Sequence, residues 1–242
     1  HLAGQTIVGV ANREPVATFE TNIRGTWLLL EAARLTPTVR GVVVASSEKA
    51  YGEQRNLPYR EEFPLQGRHP YEVSKSCADL IARSFAHTYG QAVAVTRCSN
   101  LYGGGDLNWN RLIPGTIRSL LQGERPVIRS DGSFRRDYLY VADAVRGYLM
   151  LAENLTEPGV RGQPFNLGSG CPVSALDVVR TIVALSGHPE WEPIILNEVV
   201  HEIQDEYLSP DKAAEAIGWR PQYTLEAGLA EAMSWYRAYL RP

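Results

Sequence analysis

Residues 41–47 read Gly-Val-Val-Val-Ala-Ser-Ser and run on into Glu48-Lys49-Ala50-Tyr51-Gly52. A continuous β-branched run of this kind is the pattern of a strand buried on both faces of a parallel sheet. A second run, Ala92–Thr96 (AVAVT), follows a loop carrying Pro58, Pro64 and Pro70 and a helical stretch from Tyr71 to Tyr89 that Gly90 ends. Strand, long helix, strand at this spacing is the βαβ rhythm of a doubly wound parallel α/β sheet. Upstream, Pro15 opens a helical pattern through Phe19, Ile23, Trp27, Leu30 and Ala33; proline suits a first turn, where its missing N–H costs nothing.

The pattern changes after Tyr102. A Gly-Gly-Gly-Asp loop precedes a helix near Pro114–Gln122, a short strand at Val127–Arg129 and a strand-to-helix passage from Tyr138 to Glu153. Later come a strand at Phe165–Leu167, a helix at Ala175–Ser186, a strand at Ile194–Leu196 and an amphipathic helix near Leu225–Tyr239. Short strands mixed with helices predict a smaller α+β lobe. The expected division is residues 1–102 for the sheet domain and 103–242 mainly for the second lobe, with some segments returning to the sheet.

Hydrophobic residues make up 44% of the 242-residue chain and charged residues 21%, which excludes disorder and allows a sizeable core. No run approaches the length of a membrane span. A net charge of −3, with no Lys/Arg run longer than two, argues against nucleic acid as a partner. Cys77, Cys98 and Cys171 form no CxxC pair, which reads as reduced thiols of a cytoplasmic protein. The five histidines have no ligand spacing, so no metal is expected. Cys77 and Cys98 read as packed small hydrophobes, and Trp27, Trp219 and Trp235 as core.

Tyr71 and Lys75 are four apart on the predicted helix, so they share one face. An ammonium beside a phenol favours the phenolate, and a tyrosine so tuned takes a hydroxyl proton while hydride leaves the same carbon. The same spacing also describes a core-edge Tyr and a solvated Lys. What sets it apart is the preceding strand, whose Ser46-Ser47 end lies at the carboxyl edge where open α/β sheets place their sites.

The stretches VVVASSEKAYG, HPYEVSKSCAD, TRCSNLYGGGD, RLIP and GSFRRDYLYVADAV resemble the extended short-chain dehydrogenase/reductases that act on nucleotide sugars. TNIRGTWLLLEA (Thr21–Ala32) and KAAEAIGWRP (Lys212–Pro221) match the same family, so the likeness runs in order along essentially the whole chain. It implies a Rossmann-type domain binding NAD and a C-terminal lobe holding a nucleotide sugar. By this resemblance Ser47, Tyr71 and Lys75 form the catalytic triad, and Asn22 supports a structural water near Lys75. Lys75 would also bond the nicotinamide ribose, with the Ala3–Gln5 backbone beside it. Asn100 would contact the sugar diphosphate, Arg136 would pair with the phosphates, and Arg111 and Pro114 would line the nucleotide. The family also implies a homodimer through a four-helix bundle, here the Pro15–Leu35 and Tyr71–Tyr89 helices. On the second of these, Cys77, Leu80, Ile81, Ser84 and Phe85 make an apolar stripe beyond the Tyr71 face.

Glu48 and Lys49 sharpen the reading. Epimerases of this family usually carry non-ionisable or unpaired residues after the strand serine, whereas 4,6-dehydratases carry an acid/base pair. Elimination needs one: with C4 a ketone, a base removes the acidic C5 proton and an acid protonates the departing C6 hydroxyl. Ser-Ser-Glu-Lys-Ala-Tyr-Gly resembles the Asp-Lys pair of CDP-glucose 4,6-dehydratases, with Glu in place of Asp. A nucleotide-sugar 4-epimerase using the same Ser-Tyr-Lys set, and a non-catalytic remnant that has lost its cofactor half, are the alternatives. NAD against NADP stays open.

The family's G-x-x-G-x-x-G turn, which cradles a dinucleotide pyrophosphate at a helix N-terminus, does not occur in these residues. They start where the family's fourth strand ends, so the expected sheet is incomplete at its N-terminal side. The 242-residue stretch is therefore expected to hold NAD weakly; calorimetry checks this, and tight binding would mean that another segment replaces the turn.

Overall fold

The computed structural model describes residues 1–198 and 203–241, which divide into two compact units. The first takes His1–Ser99, Val145–Leu167 and Leu208–Arg220; the second takes the described parts of Asn100–Ala144, Gly168–Tyr207 and Pro221–Pro242. In chain order the elements begin with α1 (Val8–Arg13), α2 (Pro15–Phe19), α3 (Gly25–Arg34), β1 (Val42–Ala45), α4 (Pro70–Tyr89) and β2 (Val93–Cys98). Next come β3 (Asn100–Tyr102), α5 (Leu112–Leu121), β4 (Val127–Ile128), β5 (Arg135–Tyr140), α6 (Val141–Glu153) and β6 (Pro164–Leu167). The chain then forms β7 (Pro172–Ser174), α7 (Ala175–Ser186), β8 (Ile194–Ile195), β9 (Asp205–Glu206), α8 (Asp211–Ile217) and α9 (Leu225–Tyr239).

The first unit is built on a parallel sheet in the order β1-β2-β6, with Val44 opposite Val95 and Thr96 opposite Phe165. Residue His1 lies beside β1 in parallel register, its nitrogen donating to Val43 O and its carbonyl accepting from Ala45 N. β2, the middle strand, is buried at every residue. β1 is not buried on both faces as its sequence suggests: Val42 and Val44 are buried, whereas Val43 and Ala45 are only half-buried. Leu30, Ala82 and Ala86 pack against Val42, Val44, Val93 and Val95 to form the core under α3 and α4.

α4 is well terminated. Pro70 occupies its first turn, Glu72 accepts from the backbone nitrogens of Arg68 and His69 at 2.8 and 3.2 Å, and Gly90 closes it at φ 66°. The expected Pro15–Leu35 helix instead contains a π-turn at Glu20–Arg24 between α2 and α3. The extra residue in that turn directs Asn22 inward, where it is 2% exposed.

The apolar stripe expected on α4 divides: Ile81 and Phe85 pack against the core, while Leu80 is 55% exposed. Of the tryptophans read as core, only Trp219 is fully buried; Trp27 and Trp235 are 41% and 38% exposed. Trp235 lies against the Gly104 backbone and stacks on Tyr239 at 4.9 Å, so its edges stay exposed.

In the second unit β5 pairs in parallel with β3 and β9 and antiparallel with β7, and β4 and β8 form a short parallel ribbon. α5, α7 and α9 pack together through Ile113, Ile117, Val179, Ile182, Leu229 and Met233. Two buried aspartates fasten loops to this unit: Asp137 accepts from Ser169 N at 2.8 Å and Gly170 N at 3.3 Å, and Asp143 from Gln222 N and Tyr223 N. Among the described residues no helix is long and apolar enough to cross a membrane.

Candidate active site

At the carboxyl end of β1 the chain enters a single 3₁₀ turn, Glu48–Tyr51, for which Ser47 is the cap. Ser47 has extended backbone angles, and its Oγ accepts from Lys49 N at 3.2 Å. The turn places Glu48 in the interior at 2% exposure and leaves Lys49 half-buried. The N-terminal half of α4 packs on the same edge. Lys75 Nζ donates to Ala45 O at 2.9 Å, and Ser46 Oγ donates to the Lys75 carbonyl at 3.1 Å. Tyr71, one helical turn earlier on the same face, is buried at 9% exposure. Ser47, Glu48, Lys49, Tyr71 and Lys75 thus all sit at one end of β1 and its covering helix.

Asn22 joins the segment before α1 to this group. Its side chain accepts from Gln5 N at 2.6 Å and donates to Gln5 O and to Ser74 Oγ, both at 2.9 Å. Gly4 lies between them: a Cβ there would come within 3.1 Å of Asn22 Oδ1 and 3.5 Å of Lys75 Nζ. The Ala3–Gln5 backbone therefore passes close to the Lys75 ammonium, a position a side chain would obstruct.

The interior beneath these groups is polar. Thr96 Oγ1 donates to Tyr148 Oη at 2.6 Å. Burial pushes the Cys98 thiol up to about 11, with Glu48 raising it further and Lys75 opposing, so both lie within electrostatic reach of it. A thiol held so high stays protonated and is no nucleophile. Burial lowers the pKa of Lys75 from its ordinary value of 10.5.

In the second unit Arg111 and Arg136 line one cavity of 640 Å³, together with Trp109, Arg129, Phe134 and Tyr138. Arg111 pairs with Asp106 at 2.8 Å, and Arg136 lies 3.9 Å from the buried Glu206 with its guanidinium over the Phe134 ring. Asn100 does not line this cavity; its backbone is paired with Tyr138, which does. Three aromatic rings and three guanidinium groups suit a planar base carrying phosphates. Sequence reasoning missed Arg129 and Trp109, which lie outside the motif stretches, and Phe134, which lies inside GSFRRDYLYVADAV but whose apolar ring gives no sign of a role there. Among the described residues no cluster of His, Cys, Asp or Glu could hold a metal ion.

Sequence reasoning also missed a buried network behind the turn. Arg97, 1% exposed on β2, donates two hydrogen bonds to Asp79 of α4 at 2.8 and 3.1 Å. Its Nη1 donates to Tyr51 Oη at 2.8 Å, which in turn donates to Asn166 Oδ1 at 2.7 Å. Burial works against the Arg97 charge, and Asp79 outweighs it, so the pKa is raised. The signal was available: an arginine directly after the run AVAVT must find a partner once that strand is buried.

Residues 1–232 match the family model described as GDP-mannose 4,6 dehydratase. The CDP-glucose 4,6-dehydratase of Salmonella typhimurium is 30% identical to this chain over 257 residues, spanning 100% of the chain and 70% of that protein. The structure of a UDP-glucose 4-epimerase from Thermotoga maritima with UDP-glucose is similar at a TM-score of 0.90 and 30% identity, covering 100% of this chain and 77% of that one. A dTDP-glucose 4,6-dehydratase from Streptomyces venezuelae with NAD bound is similar at 0.86 and 28% identity, covering 98% and 72%.

The Lys75 environment has a consequence for stability. Between its lowered folded value and 10.5 the unfolded chain carries a proton that the folded one lacks, so this group makes stability rise with pH there. Urea unfolding at stepped alkaline pH is expected to show the wild type gaining on Lys75→Met as pH rises through that window. Parallel curves would mean that Lys75 is not desolvated.

Proposed function

The chain belongs to the GDP-mannose 4,6 dehydratase family, and from that premise we propose that it is an NAD-dependent nucleotide-sugar 4,6-dehydratase acting on CDP-glucose. The observation that carries this reading is the burial of Glu48, 2% exposed directly behind Ser47. A carboxylate in a solvated loop pair would stay in water, because burying one is costly unless the site uses it. An epimerase needs Ser47, Tyr71 and Lys75 but has no task for a buried acid beside them.

The residues fit the nicotinamide end of the cofactor. The close approach of the Ala3–Gln5 backbone to Lys75 Nζ, made possible by Gly4, leaves an ammonium and backbone groups to meet a ribose. Bound NAD supplies the acceptor for the C4 hydride and the donor of the hydride returned to C6. Ser47 bonds the C4 oxygen, and Tyr71 takes the C4 hydroxyl proton, with Lys75 one helical turn along the same face. With C4 a ketone, Glu48 and Lys49 divide the two transfers of elimination: removal of the C5 proton and protonation of the departing C6 hydroxyl. Water leaves, and C5 is reprotonated as C6 is reduced, giving the 4-keto-6-deoxy sugar. Arg111 and Arg136 hold the diphosphate, Arg129 joins them, and the aromatic rings take the base; Asn100, outside that cavity, is assigned a diphosphate contact by the family resemblance alone.

The protein is further proposed to work in the cytoplasm, as a homodimer paired through α3 and α4. Trp27, Leu28 and Leu80 are 41%, 52% and 55% exposed there, more apolar surface than isolated helices usually leave in water. Sedimentation of a monodisperse monomer at micromolar concentration would exclude the pairing.

Glu48→Gln is expected to permit C4 oxidation and block elimination, so that NADH accumulates and no 4-keto-6-deoxy product forms. Tyr71→Phe is expected to lower turnover by about a hundredfold or more with little change in KM. Product analysis with CDP-glucose decides. A C4 epimer from the wild type, or normal 4-keto-6-deoxy product from Glu48→Gln, would replace this reading with the epimerase one or remove Glu48 from the mechanism.

A further inference from the structure

We propose that Tyr51 and the Asp79–Arg97 pair are positioning elements that lock the acid/base turn to the helix carrying Tyr71 and Lys75. The proposal rests on the dehydratase reading, and assigns to the elimination step residues that touch neither substrate nor cofactor.

The geometry is a clamp with two jaws. Ser76, the residue after Lys75, has its Oγ 3.1 Å from Ala50 O and 3.0 Å from Glu72 O, so its one proton is shared between the backbone of the turn and that of α4 and joins the two. One turn further along α4, Asp79 holds Arg97 in a two-pronged pair, and Arg97 Nη1 reaches Tyr51 Oη at 2.8 Å. The Arg97 guanidinium also lies 4.7 Å from the centre of the Tyr51 ring. Tyr51 is the last residue of the turn that begins with Glu48, and it is fully buried. Its phenol passes the connection on to Asn166 of β6, whose backbone nitrogen and side chain bond Glu61 Oε1 and Tyr59 O. Tyr51 therefore has its hydroxyl bonded on both sides, its ring packed edge-on against Tyr59 at 5.5 Å, and little freedom to shift.

Two chemical steps must share one sugar ring in this enzyme. Tyr71 and Lys75 address C4, and Glu48 and Lys49 address C5 and C6. A misplacement of about 1 Å between reacting groups can cost on the order of a hundredfold. The turn is only a single 3₁₀ loop with few bonds of its own, Ala50 N to Ser47 O and Gly52 N to Lys49 O, both at 3.1 Å. Its placement relative to α4 must come from outside it, and Ser76 and Arg97 supply that restraint.

The test is Tyr51→Phe, which keeps the ring and removes the hydroxyl. In single-turnover experiments with NAD and CDP-glucose, C4 oxidation is expected to stay within about twofold of wild type. Elimination is expected to slow by roughly ten- to a hundredfold, with NADH accumulating and KM unchanged. In a Glu48→Gln background the same change should add no further loss, because the group being positioned is already disabled. Hydrogen exchange at the amides of residues 49–52 should quicken, while those of α4 stay protected. Ser76→Ala loosens the other jaw and should shift the partition in the same direction; it serves if Tyr51→Phe does not fold. Equal slowing of oxidation and elimination, or an unchanged partition with faster exchange, would overturn the proposal while leaving the dehydratase reading intact. A wild type that yields only an epimer would overturn both.

Discussion

The buried ion pair between Arg97 and Asp79 is the constraint on which the first unit is organised. It joins the middle strand of the parallel sheet to the helix that covers it, with both side chains almost wholly out of water. Such a pair is not chosen for net stability, since desolvating two charges consumes most of their attraction. Its effect is directional. A helix held to a sheet by apolar contacts alone can slide or rotate at little cost, whereas a two-pronged guanidinium–carboxylate contact accepts one register. Removing one partner leaves the other charge buried, at a cost of about 3–5 kcal/mol. With that register set, Lys75 reaches Ala45 O and Tyr71 lies one turn nearer the helix start.

The same interior explains how lysine, carboxylate, thiol and phenol coexist at the end of β1. Every backbone group in a buried strand is already bonded, so side chains there answer mainly to one another. Lys75 takes a carbonyl at the strand end, Thr96 takes Tyr148, and Cys98 stays a thiol because burial and the nearby Glu48 disfavour its anion. Low local dielectric strengthens each of these interactions. The second unit follows a different logic. Its cavity is lined by arginines, of which Arg111 is paired with Asp106 and Arg136 lies near Glu206, so their forks are held in place by carboxylates.

Much of the first unit was legible in the sequence because its signals are local. Two apolar runs, the Gly90 stop of α4, and the four-residue spacing of Tyr71 and Lys75 each follow from short-range rules of burial and helix geometry. Ser47 could be placed at the strand end for the same reason. The π-turn at Glu20–Arg24 was not legible, since its sequence keeps ordinary helical spacing while the extra residue turns Asn22 inward to Gln5 and Ser74. Nor was the exposure of Trp27 and Trp235, because a helical pattern marks an apolar face without saying what covers it.

The sequence by itself determined the fold class and the family, and it marked out candidate residues for the site, since periodicity, caps and motif spacing are properties of neighbours along the chain. Only the tertiary structure decided which buried charges meet. Arg97 lies 18 residues from Asp79, 46 from Tyr51, and Tyr51 lies 115 from Asn166. No local rule links positions that far apart, and it is the packing of β2, β6 and α4 around one interior that makes them partners. The burial of Glu48 has the same origin, since it is the packing of α4 and β2 on the turn that makes it an interior acid.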